Sequence, residues 1–185
     1  QMCIIESSYI GGHRGGYGAC VFEITDAAKC GADNKLTVRV SNALDLGIMP
    51  LGGDFNFYGG IYRDVYLLIM EEACISPVDY ASLGVYLIQK EVTREHADIE
   101  AKVVLSNTVK DKPVELHLKI RDGNTLVLEK TQALHLPVSD QTPVSIDFSI
   151  KKPRLWNGRK DPFMYHAEVS LFADGREIDC VIQPL

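Results

Sequence analysis

"PVELHLKIRDGNTLVLEKTQALHL", from Pro113 to Leu136, is the stretch that decides the fold. Val114, Leu116, Leu118 and Ile120 fall on alternate positions, with Glu115, His117, Lys119 and Arg121 between them. A period of two marks a strand with one face in a core, because successive side chains point to opposite sides. Asp122-Gly123-Asn124 supplies the backbone freedom of a tight turn, and an apolar-rich run then returns. The stretch is a β-hairpin.

Working outward, the same alternation recurs. Ile99, Ala101, Val103 and Leu105 are in phase in "ADIEAKVVLSN" (97–107), and "VYLIQKEVT" (85–93) and "TPVSIDFSIK" (142–151) behave alike. "YHAEVSLFADGREIDCVI" (165–182) reads as a second hairpin turning at Asp174-Gly175. Nearer the N-terminus, "ACVFEIT" (19–25), "KLTVRVSN" (35–42) and "IYRDVYLLIM" (61–70) are predicted strands. No stretch carries the 3.6-residue period of an amphipathic helix. The chain is all-β.

The spacing divides it. From about residue 76 there are roughly seven short strands with turn signals every 8–15 residues or so, the pattern of an immunoglobulin-like sandwich. The single tryptophan, Trp156, lies in the irregular link "KKPRLWNGRKDPFMY" and is expected to cap that sandwich's core. The first 72 residues supply about four strands, too few to close a sandwich without exposed edges. This part is therefore expected either to pair with the second domain or to be the back half of a larger β-domain, and it begins in strand-like residues as an internal fragment would.

Composition narrows the function classes. The chain has 185 residues, 46% of them hydrophobic, and a formal charge of −6. An acidic balance with scattered basic residues argues against nucleic acid, whose phosphates need a concentrated Lys/Arg face. No apolar run approaches the ~20 residues that cross a bilayer as a helix, so no membrane partner is expected. Five cysteines at irregular spacing, without a CxxC pair, fit neither a disulfide framework nor a zinc site. Cys3, Cys20 and Cys180 sit in strand-like runs and are expected to be buried and inert.

Few motifs carry chemistry. "GGHRGGYG" (11–18) lacks the GxxxxGK[ST] pattern and the following helix of a phosphate loop, and reads as a glycine-rich turn with His13 and Arg14 at its tip. His96, His117, His135 and His166 are scattered, so no metal site is predicted from them. No GxSxG nucleophile elbow is present. Asp54 stands apart in "LGGDFNFYGG" (51–60), among Phe55, Asn56, Phe57 and Tyr58 and between glycine pairs. Aromatic faces with a carboxylate and an amide suit a sugar, the rings covering C–H faces and the acid accepting from hydroxyls. The residues alone favour an anchored loop in which Asp54 caps backbone N–H groups.

Four ordered blocks extend this reading: "GGHRGGYGACVFEIT" (11–25), "DNKLTVRVSN" (33–42), "GDFNFYGGIYRDVYLL" (53–68), and "PRLWNGRKDPFMYHAEVSL" (153–171) followed by Asp174-Gly175. Together they resemble glycoside hydrolase family 2, the group of β-galactosidases, β-glucuronidases and β-mannosidases, over essentially the whole chain. "SPVDYASLGVYL" (76–87) looks most like bacterial β-galactosidase-type members.

The resemblance implies a layout and a function. Residues 1–72 would be the C-terminal half of a jelly-roll sugar-binding domain and 73–185 an Ig-like β-sandwich, with the catalytic TIM barrel absent. The parent would be a retaining glycosidase of terminal β-linked sugars, most readily β-galactosides, using two barrel carboxylates about 5–5.5 Å apart. The family's acid/base Glu follows an Asn, and no Asn-Glu step occurs here, so this chain alone is expected to be non-catalytic. By its place in the motif, Asp54 would hydrogen-bond the terminal sugar, with Asn56 and Tyr58 as neighbours. Asp54 would also be the only metal candidate, for a monovalent or divalent cation in the parent's active site; no cofactor is expected in this chain. Arg63 would order the loop by pairing with a carboxylate or carbonyl. The implied partners are the sugar substrate and the jelly-roll strands and barrel of the same polypeptide, in a periplasmic, secreted or cytoplasmic bacterial protein. The alternative is a stand-alone carbohydrate-binding or adhesion module without hydrolase activity.

Overall fold

The computed structural model describes residues 2–5, 8–49, 51–53, 56 and 58–185. Two compact units divide the chain, Gln1–Leu68 and Ile69–Leu185. No described residue is helical, so the fold is all-β.

The first unit holds one antiparallel sheet of β1 (Met2–Ile5), β2 (Ser8–Gly12) and β3 (Leu36–Arg39), in the order β2-β1-β3. β3 falls inside the predicted strand 35–42. Two other expected strands do not form ladders among the described residues. Residues 19–25 run without strand pairing into a turn closed by bonds from Ala27 and Ala28 N–H to the Ile24 carbonyl. Phe22 there packs so closely on β2 that a Cβ on Gly11 would lie 2.5 Å from its ring. Residues 61–70 are likewise unpaired and exposed throughout. Alternation gives a ribbon one apolar face, but a strand also needs a neighbour to satisfy its backbone groups.

The second unit is a sandwich. Its strands are β4 (Ala73–Ile75), β5 (Val85–Val92), β6 (His96–Asn107), β7 (Lys112–Asp122), β8 (Thr125–Leu136), β9 (Ser139–Lys151), β10 (His166–Ala173) and β11 (Arg176–Pro184). One sheet runs β11-β10-β7-β8. In the other, β6 pairs with β9 along one side and with β4 and β5, end to end, along the other. Glu71 and Glu72 join this unit: Arg176 bonds Glu71 at 2.8 Å, and Thr108 N–H donates to the Glu72 carbonyl at 3.0 Å.

The core follows the alternation. Ile99, Ala101, Val103 and Leu105 of β6 face Val114, Leu116, Leu118 and Ile120 of β7, with Val144, Ile146, Phe148 and Ile150 of β9 and Ala167, Val169 and Leu171 of β10. All are buried, and the intervening positions are mostly half-buried or exposed. Burying a Leu or Ile side chain contributes about 1.5–3 kcal/mol, so this interlock is the main stabilising term of the unit. Asn107 is buried among it because its amide donates to the carbonyls of Lys110, Leu136 and Pro137 at 2.8, 3.1 and 3.3 Å.

Trp156 does not cap this core; it is 64% exposed. Arg154 holds the link instead, binding Asp161 through two bonds and lying 4.2 Å from the Phe163 ring centroid. Those contacts fasten the turn without drawing in the indole. Cys180 is also exposed rather than buried, because β11 is an edge strand with one side open.

Candidate functional site

Asp54 lies outside the described residues, as do Phe55 and Phe57. The other two sequence candidates lie together. The Asn56 amide donates to the Tyr58 hydroxyl at 3.1 Å, and the Tyr58 ring is 83% exposed. Because that hydroxyl accepts here, it keeps its own proton to donate outward.

The loop is anchored from behind. A Cβ on Gly59 would lie 3.1 Å from the Asn42 side chain, so the backbone passes close to the chain leaving β3. Gly60 follows at φ +101, a conformation that side chains resist. Next, the Tyr62 hydroxyl donates to the Gly16 carbonyl at 3.3 Å, and Arg63 Nη1 to the Tyr17 carbonyl at 3.4 Å. Arg63 also sits 5.2 Å from the Tyr62 ring centroid. Arg63 therefore does what was expected of it, pairing with a carbonyl of the glycine-rich turn. The loops 11–18 and 41–47 and residues 58–63 are gathered at one place in the first unit, with Arg14 3.9 Å from Asp45. Tyr17, Tyr58, Tyr62 and Tyr66 all present exposed rings. The arrangement offers flat apolar faces, hydroxyl and amide donors, and guanidinium charge to a polar ligand.

The second unit adds two features. A groove of about 570 Å³ is lined by β7, β8 and β10 residues including Val114, Leu134, His135 and Phe172. No described group there makes a convergent polar cluster; His117 alongside is engaged by Glu115 at 3.2 Å and by the Phe172 ring. The other feature lies on the outer face of the β4/β5-β6-β9 sheet, which carries a band of charge. Lys90 bonds Asp147 at 2.8 Å and Glu100 at 3.2 Å, and these carboxylates hold its ammonium above the ordinary lysine value. Glu100 is held below the usual carboxylate range, first by the Ser145 hydroxyl at 2.6 Å and then by Lys90.

Beyond Lys90 on the same face, Glu91, His96 and Asp98 converge, their ligand-capable atoms all within 4.8 Å of one another. The histidines stay scattered among the described residues, and His96 alone of them meets two carboxylates. Glu91 comes to Asp98 because a bulge between Gln89 and Glu91 shifts the register, which alternation alone does not announce.

The geometry agrees with what the chain resembles. The model of glycosyl hydrolases family 2 matches residues 83–184. The chain belongs to glycosyl hydrolases family 2, as its four motifs imply. A β-glucuronidase of Bacteroides fragilis is 51% identical over 181 residues, 98% of this chain and 26% of that protein. A β-galactosidase of Thermoanaerobacter pseudethanolicus is 26% identical over 95% of this chain and 22% of its own length. Among solved structures, a Bacteroides uniformis β-glucuronidase superposes with a TM-score of 0.92 at 29% identity, over 99% of this chain and 22% of that one. The chain thus spans about a quarter of the length of the curated relatives it matches.

Proposed function

We propose that this chain is the non-catalytic β-domain portion of a retaining family 2 exo-glycosidase that removes terminal β-linked sugars, with β-glucuronides as the favoured substrate. The observation that carries this reading is the 51% identity to the Bacteroides fragilis β-glucuronidase across 98% of the chain. The sequence motifs lean towards β-galactosides, and the Thermoanaerobacter relative keeps that as the second reading.

In this proposal residues 1–68 belong to the jelly-roll sugar-binding domain and 69–185 form the Ig-like spacer. Asp54 accepts hydrogen bonds from hydroxyls of the terminal sugar, and Asn56 and Tyr58 flank it. The bond-breaking carboxylates come from a barrel on the same longer polypeptide. Exposed apolar residues after the loop support such a neighbour: Val65, Leu67 and Leu68 are each more than half exposed, a grouping that soluble proteins ordinarily cover.

The test is hydrolysis of 4-nitrophenyl β-D-glucuronide and β-D-galactoside by the longer polypeptide carrying this chain. A higher kcat/KM on the glucuronide is expected, with no turnover of either by the 185-residue chain alone. Faster galactoside cleavage would establish the second reading. Hydrolysis by the short chain would overturn its non-catalytic assignment.

A further inference from the structure

We propose that Asn157-Gly158, in the link between β9 and β10, is a self-modifying site at which the Asn157 amide converts to aspartate and isoaspartate. The chemistry needs only water. The Gly158 backbone nitrogen attacks the side-chain carbonyl carbon of Asn157. A C–N bond forms, the C–NH2 bond breaks, and ammonia leaves with the hydrogen given up by the Gly158 N–H. Water then adds to either carbonyl of the cyclic imide and reopens it, as aspartate or as isoaspartate. Asparagine is thermolabile, and local structure decides which one converts first.

Asn-Gly occurs once in the sequence, and the structure leaves both reacting groups free. Asn157 is exposed, and its side-chain amide has no hydrogen-bond partner among the described residues. Asn34 is tied to Lys29 and Ala32, Asn56 to Tyr58, and Asn107 to three carbonyls. No described acceptor takes the Gly158 N–H, and glycine has no side chain to block the approach. Arg159 and Lys160 follow, exposed and without a carboxylate partner among the described residues. Positive charge beside the attacking nitrogen favours the amide anion that must form first.

The turn also holds Asn157 loosely. Its carbonyl accepts from the Lys160 and Asp161 N–H groups at 3.1 and 3.3 Å, the long end of the range for such bonds. Rotation towards the Gly158 nitrogen therefore gives up two weak contacts. Asn124 is the comparison within the chain. It is exposed in the β7–β8 turn, but Thr125 follows it, and a β-branched side chain crowds the attacking nitrogen.

Conversion alters the link. Isoaspartate routes the backbone through the former side chain and so inserts a methylene. The 2.8 Å bond from the Asn157 N–H to the Asp161 carbonyl, and the bridge these two residues form, then lose their register. Asp161 is the residue that holds Arg154 through two bonds, so the link loosens at its fastening point.

The test maps residue 157 by mass spectrometry in the 185-residue chain kept in mildly alkaline buffer, beside the same chain unfolded in urea. The expected result is an amide-to-acid mass gain with isoaspartate at residue 157, at a similar rate in both samples. It should run at least about ten-fold faster than at Asn124, which precedes a β-branched residue. Trypsin should cut the converted chain faster after Arg159 and Lys160. Asn157→Gln, whose longer side chain disfavours the ring, should show neither change after the same incubation. An amide that survives at residue 157 in the folded chain, while the unfolded chain converts, would overturn the proposal. Equally fast conversion at Asn124 would overturn it too, and unchanged trypsin cleavage would contradict the loosening.

Discussion

The carboxylate of Asp179, on β11, accepts the backbone N–H of Ile75, on β4, at 2.8 Å, joining the two sheets of the sandwich across 104 residues of sequence. Its other oxygen accepts the N–H of Cys180 at 2.8 Å. Ile75 is buried, so losing the acceptor would strand an N–H away from water. Asp179→Ala is expected to cost about 1–3 kcal/mol, read as a lower urea midpoint at unchanged slope. Asp179→Asn, whose amide oxygen can still accept, should cost less.

Gly84 offers a steric test. It lies at φ +71, and a Cβ there would meet Ile75 Cγ2 and the Ser76 carbonyl oxygen, each at 2.8 Å. Gly175 lies at φ +73 with nothing within 4 Å. Gly175→Ala should carry the backbone penalty alone, about 1–2 kcal/mol. Gly84→Ala should exceed it by about 1–3 kcal/mol of crowding. Equal losses in chemical denaturation would refute the close approach.

Alkaline pH probes the turn before β5. The Tyr86 hydroxyl donates to Asp79 Oδ2 at 2.5 Å, and that bond is the main cause that raises its ionisation above the ordinary tyrosine value. A group whose folded pKa is raised adds stability that is full below its unfolded value, about 10, and is lost as pH rises through the folded value. The stability difference between wild type and Tyr86→Phe should therefore be constant up to about pH 10 and shrink above it. A difference that grows at high pH would contradict the bond.

Trp156 is the only tryptophan, so its emission reports one site. At 64% exposure it should emit as a water-exposed indole and be quenched readily by acrylamide in the 185-residue chain. A blue-shifted, protected emission would restore the core-capping role that its sequence position suggested.

The sandwich was legible because four strands, β6, β7, β9 and β10, bury every second residue without interruption, so Leu116 or Ile146 could be placed inward from spacing alone. The first unit was less legible. Residues 19–25 and 61–70 alternate as well as any strand, yet pairing depends on a neighbour that a one-dimensional pattern cannot supply. Trp156 misled because its place in an irregular link does not say which way the indole faces; the Arg154–Asp161 pair fastens the turn with the indole exposed. The meeting of Glu91 with Asp98 was hidden by a bulge, a one-residue event without its own sequence signal. At the candidate sugar site, a hydrogen bond joins Asn56 and Tyr58, while Asp54, the residue that the motif puts first, lies outside the described residues.

The central claim is that this chain lends a sugar-contacting carboxylate to a glycosidase. The most direct measurement is kcat/KM of the longer polypeptide on its preferred 4-nitrophenyl β-glycoside, wild type against Asp54→Ala. The account predicts a loss of about a hundred-fold, the scale of removing a charged hydrogen-bond partner at about 2.7 kcal/mol, with an unchanged melting temperature. An unchanged kcat/KM would contradict it.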